Sequence, residues 1–338
     1  MVNFAIIGFG HIGKRHAAHI VNNPECRLVA VCDIDESQKA ALPAADIDWY
    51  DDMPAMLHRK DINVVCVCTP NYLHLPHTVA SLQAGKHVVV EKPMALSVTE
   101  CDAMISAAEV AGRKIFAVKQ NRYNPPVAAV KHLVDEGSLG QVLMMQVNCF
   151  WNRNDGYYAQ SSWRGKKEKD GGCLFTQFSH FVDILYYLNG PVAGARGYLE
   201  NFLHLHNTEF EDSGTFTMKA ANGALINFNF STCAFKKNME GSIAIIAEKG
   251  TLKIGGQYLN TLEYQCLEGA ALPEINIVAK ENDYGLYKGS MSNHDKVIQN
   301  VVDVLLHDAA MMTGAEEARE VVRIIEMMYA AATVSVVV

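Results

Sequence analysis

The chain has 338 residues, enough for two domains with sizeable cores, and its 49% hydrophobic and 20% charged residues are those of an ordinary globular protein. A net charge of -8, with no basic block beyond Lys166-Lys167-Glu168-Lys169, excludes the electrostatic footprint of a nucleic-acid binder. Nine cysteines without a C-x-x-C or a metal-type Cys/His pairing exclude a closed disulfide framework and predict no metal; no basic-then-apolar leader opens the chain and no apolar run is long enough to span a membrane, so a reducing cytoplasmic setting is expected.

Residues 4–7 are an apolar run of the length of a buried parallel strand. They lead into Gly8-Phe9-Gly10-His11-Ile12-Gly13, and a helical pattern follows (His16, Ala17, His19, Ile20). A G-x-G-x-x-G alone is weak; between a strand and a helix it reads as a dinucleotide fingerprint. Gly8 allows the tight turn, Gly10 lets backbone approach a pyrophosphate, and Gly13 lets the helix lie close to the strand. A second strand over 27–33 ends in Asp33, 20 positions past Gly13, where a carboxylate holds the adenosine ribose hydroxyls. Ile34 and Asp35 follow, with no Arg or Lys to receive a 2′-phosphate, so the expected cofactor is NAD rather than NADP. The residue pattern alone also allows Asp33 as a solvated acid at a strand end.

Strand and helix keep alternating: strand 63–68, helix 75–84, strand 87–90, helix 101–110 behind a Ser97/Glu100 capping box, and strand 115–119. This predicts a doubly wound, mainly parallel α/β sheet over residues 1–122. Gly8, Asp33, Thr69, Lys92 and Gln120 fall at the carboxyl ends of its strands, where such sheets bind ligands. Asn124 is expected to cap a proline-started helix to about 136. From 142 the rhythm changes to long strands (142–151, 192–200, 212–219, 224–231, 240–247), with Ala221-Asn222-Gly223 as a hairpin turn. The second domain, 123–338, is therefore expected to be α+β with a mainly antiparallel sheet. A polar loop over 152–169, a helix over 172–188 capped by Asp170, and two late helices (295–306 and 315–332) complete it.

Two segments carry candidate chemistry. In Glu91-Lys92-Pro93 a lysine beside an acid, fixed by proline, stands at the sheet's carboxyl edge and can act as acid or hydrogen-bond donor; it reads equally as a surface lysine paired with Glu91. In the stretch from Asp170 to Asp183, Thr176 and Gln177 lie four and three residues before His180 and Asp183 three after it. That spacing predicts one polar stripe on an apolar helix, with His180 as proton acceptor or as a core histidine satisfied by Asp183. Arg122, Arg153 and Arg164 can fork onto carboxylate or phosphate oxygens, and Tyr157, Tyr158 and Trp163 can pack on the flat face of a ligand ring. The alternative for that loop is a connector whose aromatics anchor it to the core.

Together, Gly8–Gly13, Thr69-Pro70-Asn71 with His74, Glu91-Lys92-Pro93, and Gly171-Gly172 followed by His180 resemble the glucose–fructose oxidoreductase/inositol dehydrogenase (Gfo/Idh/MocA) family over nearly the whole chain. The resemblance implies a nucleotide-binding domain followed by an open-faced antiparallel sheet domain that forms dimers or tetramers, and NAD(P)-linked oxidation of a sugar or cyclitol hydroxyl. Lys92 matches the lysine that binds the reacting hydroxyl, and His180 the acid/base. Thr69, Asn71 and His74 match the loop beside the nicotinamide, with Glu91, Lys92, Gln120 and Arg122 also on the cofactor side. Asn124, Tyr157, Trp163, Arg164, Thr176 and Gln177 join Lys92 and His180 on the substrate side.

Many inositol-type members have aspartate where Thr176 stands, which argues against a carboxylate relay and against inositol. Arg122-x-Asn124-Pro125, Phe150-Trp151-x-Arg153, Trp163-Arg164-Gly165 and Asn238-x-Glu240-Gly241-Ser242 are most similar to the branch of UDP-N-acetylglucosaminuronate 3-dehydrogenases of bacterial surface-polysaccharide synthesis. Another sugar, cyclitol or sugar nucleotide, or a non-catalytic NAD-binding regulator, are the alternative readings.

Overall fold

The computed structural model describes residues 1–269, 271–272, 275, 281–283 and 288–334. The chain forms two compact units, Met1–Lys119 with His294–Val322, and Gln120–Asn293 with the residues from Arg323 on. The sequence division at 122/123 lies close to the first boundary, but the structure returns His294–Val322 to the first unit. The reason is packing: helix His294–Leu306 lies against helix His11–Val21, with His294 stacked on His19 and Asn23 bonded to Gln299 at 2.8 Å. Farther on, Arg319 is paired with Asp102.

In the first unit, strands β1 (Val2–Ile7), β2 (Cys26–Cys32), β3 (Asp48–Tyr50), β4 (Val64–Val67), β5 (His87–Val90) and β6 (Ile115–Ala117) form a six-stranded sheet. Its order is β3-β2-β1-β4-β5-β6, and every neighbouring pair is parallel. The continuous Val-rich runs follow from burial on both faces: all four residues of β4 are buried. Chain order reverses between β1 and β4, the point at which a doubly wound sheet opens its ligand crevice. β3 escaped sequence reading because three half-exposed edge residues carry no alternation signal. Ser97 caps helix Val98–Ala111 by accepting from Glu100 N–H at 3.1 Å, while Glu100 accepts from Leu96 N–H rather than from the cap residue itself.

The second unit contains β7 (Val142–Phe150), β8 (Val192–Glu200), β9 (Ser213–Ala220), β10 (Leu225–Ser231), β11 (Glu240–Ala247), β12 (Gly250–Gly255), β13 (Thr261–Leu267), β14 (Glu281–Asp283), β15 (Lys288–Met291) and β16 (Ala332–Val334). β14 and β15 pair separately, and the rest form one sheet in the order β13-β12-β11-β7-β10-β9-β8-β16. Its pairs are antiparallel except β7·β10 and β8·β16. Alternation decides which face is covered: Ile226, Phe228 and Phe230 of β10 are buried, while between them Asn227 and Asn229 pair with Thr217 and Thr215. Trp151, Phe178, Phe181 and Phe230 form the aromatic centre of the core.

Two local expectations fail. The helix over 172–188 is two pieces, Cys173–Thr176 and Ser179–Asn189, and Asp170 caps neither: its carboxylate accepts from Gly165 N–H at 2.9 Å and from the Thr176 hydroxyl. Asn124 precedes helix Pro125–Asp135 without capping it, because its side chain bonds the carbonyl of Tyr258 at 3.0 Å and the side chain of Asn293 at 2.8 Å. Among the described residues no helix is long and apolar enough to cross a membrane, and all nine cysteines are free.

Candidate active site

The glycine turn has the geometry its spacing promised. Gly8 sits at φ +90, and a Cβ there would lie 2.8 Å from the Cys68 carbonyl oxygen. A Cβ at Gly13 would stand 2.0 Å from the Gly8 carbonyl oxygen, whereas one at Gly10 would meet nothing within 4 Å. Gly13 thus brings the helix onto the strand, and Gly10 keeps the approach to the helix N-terminus clear. Gly10 is the N-cap and supplies no side chain to the first-turn N–H groups. Asp33 directly follows β2; one carboxylate oxygen accepts from Phe9 N–H and the other from Asp35 N–H at 2.8 Å. The acid is therefore held against the turn itself, with exposed His11 and half-buried Ile12 opening the helix. These features fit a dinucleotide whose pyrophosphate meets the turn and whose ribose meets Asp33. Gly13→Ala must push the turn away from the helix, so NAD affinity should fall by roughly tenfold, about 1.4 kcal/mol. Unchanged affinity in calorimetric titration would show that this turn does not hold the cofactor.

Beyond β4 and β5 the two other first-unit segments are clamped together by His74, which is buried. Its Nδ1 lies 2.7 Å from the Pro93 carbonyl oxygen and its Nε2 2.9 Å from that of Thr69. Burial holds the ring below the ordinary histidine range against the pull of the two carbonyls, so the neutral ring donates its one N–H to either of them. His74 thus fixes the loop of Thr69 and buried Asn71 beside the turn that carries Lys92. Glu91 is also buried, with Oε1 2.8 Å from His16 Nε2 and 3.8 Å from His294 Nε2. Burial pushes the Glu91 carboxyl up, but the His16 ring, helped by His294 and Lys92, outweighs it and holds it at about 2. The carboxylate is therefore occupied inside the unit; the backbone N–H of half-buried Lys92 donates to Glu91 at 3.2 Å, and the nearby Lys92 charge helps to keep the carboxylate ionised. His16 was missed, although its place three residues past Gly13 on the buried side of the helix was readable.

In the second unit, His180 is the second residue of helix Ser179–Asn189 and is 4% exposed. Asp183, one turn on, takes both arms of Arg122, from Nε at 3.0 Å and Nη2 at 2.8 Å, and the guanidinium lies 4.4 Å from the Tyr187 ring centroid. Arg122 thus gives Nε and Nη2 to a carboxylate of its own unit. Gln120, whose carbonyl faces Asn293, is likewise buried in this unit.

Gln177 lies in the break between the helical pieces, where it accepts from Arg153 Nε at 2.6 Å and donates to the Tyr157 hydroxyl. Thr176 donates to the Asp170 carbonyl at 3.0 Å. Thr176, Gln177 and His180 therefore do not form one stripe. Tyr157 and Tyr158 are 3% and 5% exposed, so they anchor the loop rather than offer faces for stacking. Trp163 and Arg164 are half-buried, with Arg164 4.3 Å from the Tyr157 centroid and bonded to its carbonyl at 3.1 Å.

The glycine pair before the helix also acquires a partner that no local pattern revealed. Gly172 has φ +117, and a Cβ there would strike the Tyr329 hydroxyl at 2.2 Å. That hydroxyl donates to Glu211 Oε1 at 2.6 Å, and the same oxygen accepts from Cys173 N–H at 3.0 Å. Burial holds the Glu211 carboxyl up at about 7.

Comparison with known proteins agrees with this construction. Residues 2–119 match the oxidoreductase family, NAD-binding Rossmann fold, of GFO/IDH/MocA, and residues 127–253 match the GFO/IDH/MocA C-terminal domain. The fold is similar to that of the WlbA dehydrogenase from Bordetella pertussis in complex with NADH and UDP-GlcNAcA. The TM-score is 0.86 at 31% identity, covering 98% of this chain and 96% of that one. The corresponding complex of the Chromobacterium violaceum enzyme gives a TM-score of 0.87 at 30% identity, over 98% and 93%. By sequence the chain is also 28% identical to 2,7-anhydro-N-acetylneuraminate hydratase of Escherichia coli strain K12, over 79% of this chain and 74% of that protein. Several other curated relatives are matched over about half of their own length, between 50% and 53%.

Proposed function

The chain belongs to the GFO/IDH/MocA oxidoreductase family, with an NAD-binding Rossmann domain, and from that membership we propose that it oxidises the 3-hydroxyl of a UDP-linked N-acetylglucosaminuronate to the 3-keto sugar. The observation that carries the substrate is the likeness, over 98% of the chain, to two dehydrogenases solved with NADH and UDP-GlcNAcA. The chemistry of the residues supports it. Arg164 beside Trp163 suits an anionic sugar nucleotide, and the buried Arg153–Gln177–Tyr157 bonds fix the segment that leads into His180.

In this reading Gly8, Gly10, Gly13 and Asp33 hold the dinucleotide, with Thr69 and Asn71 on the loop that His74 fixes. Bound NAD supplies the acceptor for the hydride that leaves C3. Lys92 donates a hydrogen bond to the reacting oxygen, and His180 accepts the hydroxyl proton, so one hydride and one proton leave the alcohol and a ketone remains. His180 enters the step as the neutral ring, since only an unprotonated nitrogen can take that proton.

Initial rates of NADH formation with UDP-GlcNAcA, free uronates, free hexoses, inositols and other UDP-sugars test the assignment. UDP-GlcNAcA should exceed every compound lacking the UDP moiety by at least roughly a hundredfold in kcat/KM, about 2.7 kcal/mol of transition-state discrimination. Indifference to that moiety would assign the chain to another sugar or cyclitol. NAD binding with no substrate-dependent reduction would make it a sensor rather than an enzyme.

A further inference from the structure

Away from the groups assigned to the reaction, three side chains of the second unit converge where the loop over 201–212 meets the end of β10. His204 is 5% exposed, Asp212 is fully buried, and Cys233 is half-buried. His204 Nδ1 lies 3.0 Å from Asp212 Oδ2 and 3.9 Å from Cys233 Sγ, and the three donor atoms all lie within 4.8 Å of one another. On its far side the ring presents Nε2 to the Arg153 carbonyl oxygen at 2.7 Å. Metal-binding histidines are held in this way, one nitrogen giving its proton to a carbonyl so that the other faces the ion.

We propose that His204, Asp212 and Cys233 form a zinc site. Tetrahedral zinc, with bonds of about 2.0–2.1 Å to nitrogen, 2.0–2.2 Å to oxygen and 2.3 Å to sulfur, places bound N and O roughly 3.3 Å apart and N and S roughly 3.5 Å apart. The observed separations of 3.0 and 3.9 Å lie within roughly 0.4 Å of these values, so side-chain rotation suffices to admit the ion. A set of imidazole, thiolate and carboxylate selects zinc over the all-oxygen cations magnesium and calcium. Cys233 is the half-buried member, so the fourth position opens on its side, to water.

Asp212 brings further order to the site. It accepts from Phe202 N–H at 3.0 Å and Leu203 N–H at 2.7 Å, and its other oxygen accepts from the Ser213 hydroxyl at 2.9 Å. Zinc takes the place of the proton on Nδ1 and of the thiol proton of Cys233, so two protons leave for each ion bound and no redox change occurs. Without the ion the same groups are an ion pair with a neighbouring thiol, which is the competing description.

Chelator-treated full-length protein titrated with Co²⁺ and with Zn²⁺ distinguishes the two. One equivalent of cobalt should give a thiolate-to-metal charge-transfer band, and zinc should bind at micromolar or tighter affinity while raising the thermal midpoint. Cys233→Ser keeps the His204–Asp212 pair, so it should fold, lose the band and bind zinc at least roughly tenfold more weakly. Absence of the band in the unaltered protein, or equal zinc affinity with and without Cys233, would overturn the proposal. So would zinc binding that His16→Gln removes, which would place the ion at the buried His16, Glu91 and His294 cluster instead.

Discussion

Lys92→Met and His180→Asn should each lower turnover by about 10²–10⁴-fold, the contribution of a positioned proton-transfer group. The two variants separate in other respects. Asn at 180 preserves polarity and volume but has no nitrogen that can take a proton, so the loss should fall mainly in kcat. Met at 92 preserves the stem and removes the donor, so both kcat and the affinity for the reacting sugar should suffer. Neither residue is part of the glycine turn or the Asp33 contact, so NAD titrations of both variants should match those of the unaltered protein. Single-turnover rates with UDP-GlcNAcA are the measurement, and an unaltered rate in either variant removes that residue from the mechanism.

Asp183→Ala should cost about 3–5 kcal/mol of stability, since it removes the buried carboxylate that takes both Nε and Nη2 of the Arg122 guanidinium inside the second unit. Both side chains are essentially without solvent exposure, so water cannot replace the lost carboxylate. A double replacement, Arg122→Met with Asp183→Leu, removes the guanidinium together with the carboxylate and should recover much of the loss. Urea melts of the three proteins test this. A loss below about 1 kcal/mol for the single variant would mean that the pair behaves as an exposed one. The consequence also reaches function: Asp183 sits one turn beyond His180 on the same helix, so weakening the clamp should raise the mobility of the proposed proton acceptor.

What could be read in the sequence was local. The glycine turn, Asp33 and the Val-rich strands declare themselves because turn geometry, strand ends and burial on both faces are encoded within a few residues. Ser97 could be read as a cap for the same reason. Arg122 and Asp183 are 61 positions apart, and nothing near either names the other. Without that partner in view, Asp183 reads as a companion of His180, and Arg122 as a fork for anions.

The break at Gln177–Phe178 was equally hidden, since no proline or glycine marks it. The segment is held apart by bonds from Gln177 to Arg153 and Tyr157, residues of the preceding loop. Loop aromatics misled in the other direction. Tyr157 and Tyr158 have the composition of a ligand platform, but a loop of this length needs anchors, and the tertiary fold buried them. Asn124 and Asp170 show the same competition at helix starts, where a more distant backbone or hydroxyl partner outbid the local cap.

The return of His294–Val322 to the first unit fixes an order of events during synthesis. The parallel sheet is complete in sequence at Ala117, but the helix that covers His16 and His19 is encoded almost two hundred residues later. At ribosomal speeds of about 5–20 residues per second, translation from Lys119 to Val322 takes roughly 10–40 s. Throughout that interval the nascent first unit displays an apolar helix face and the buried Glu91 cluster without their cover. The second unit is largely made before the first can close, so the usual N-terminal-first sequence of domain folding does not apply to this chain.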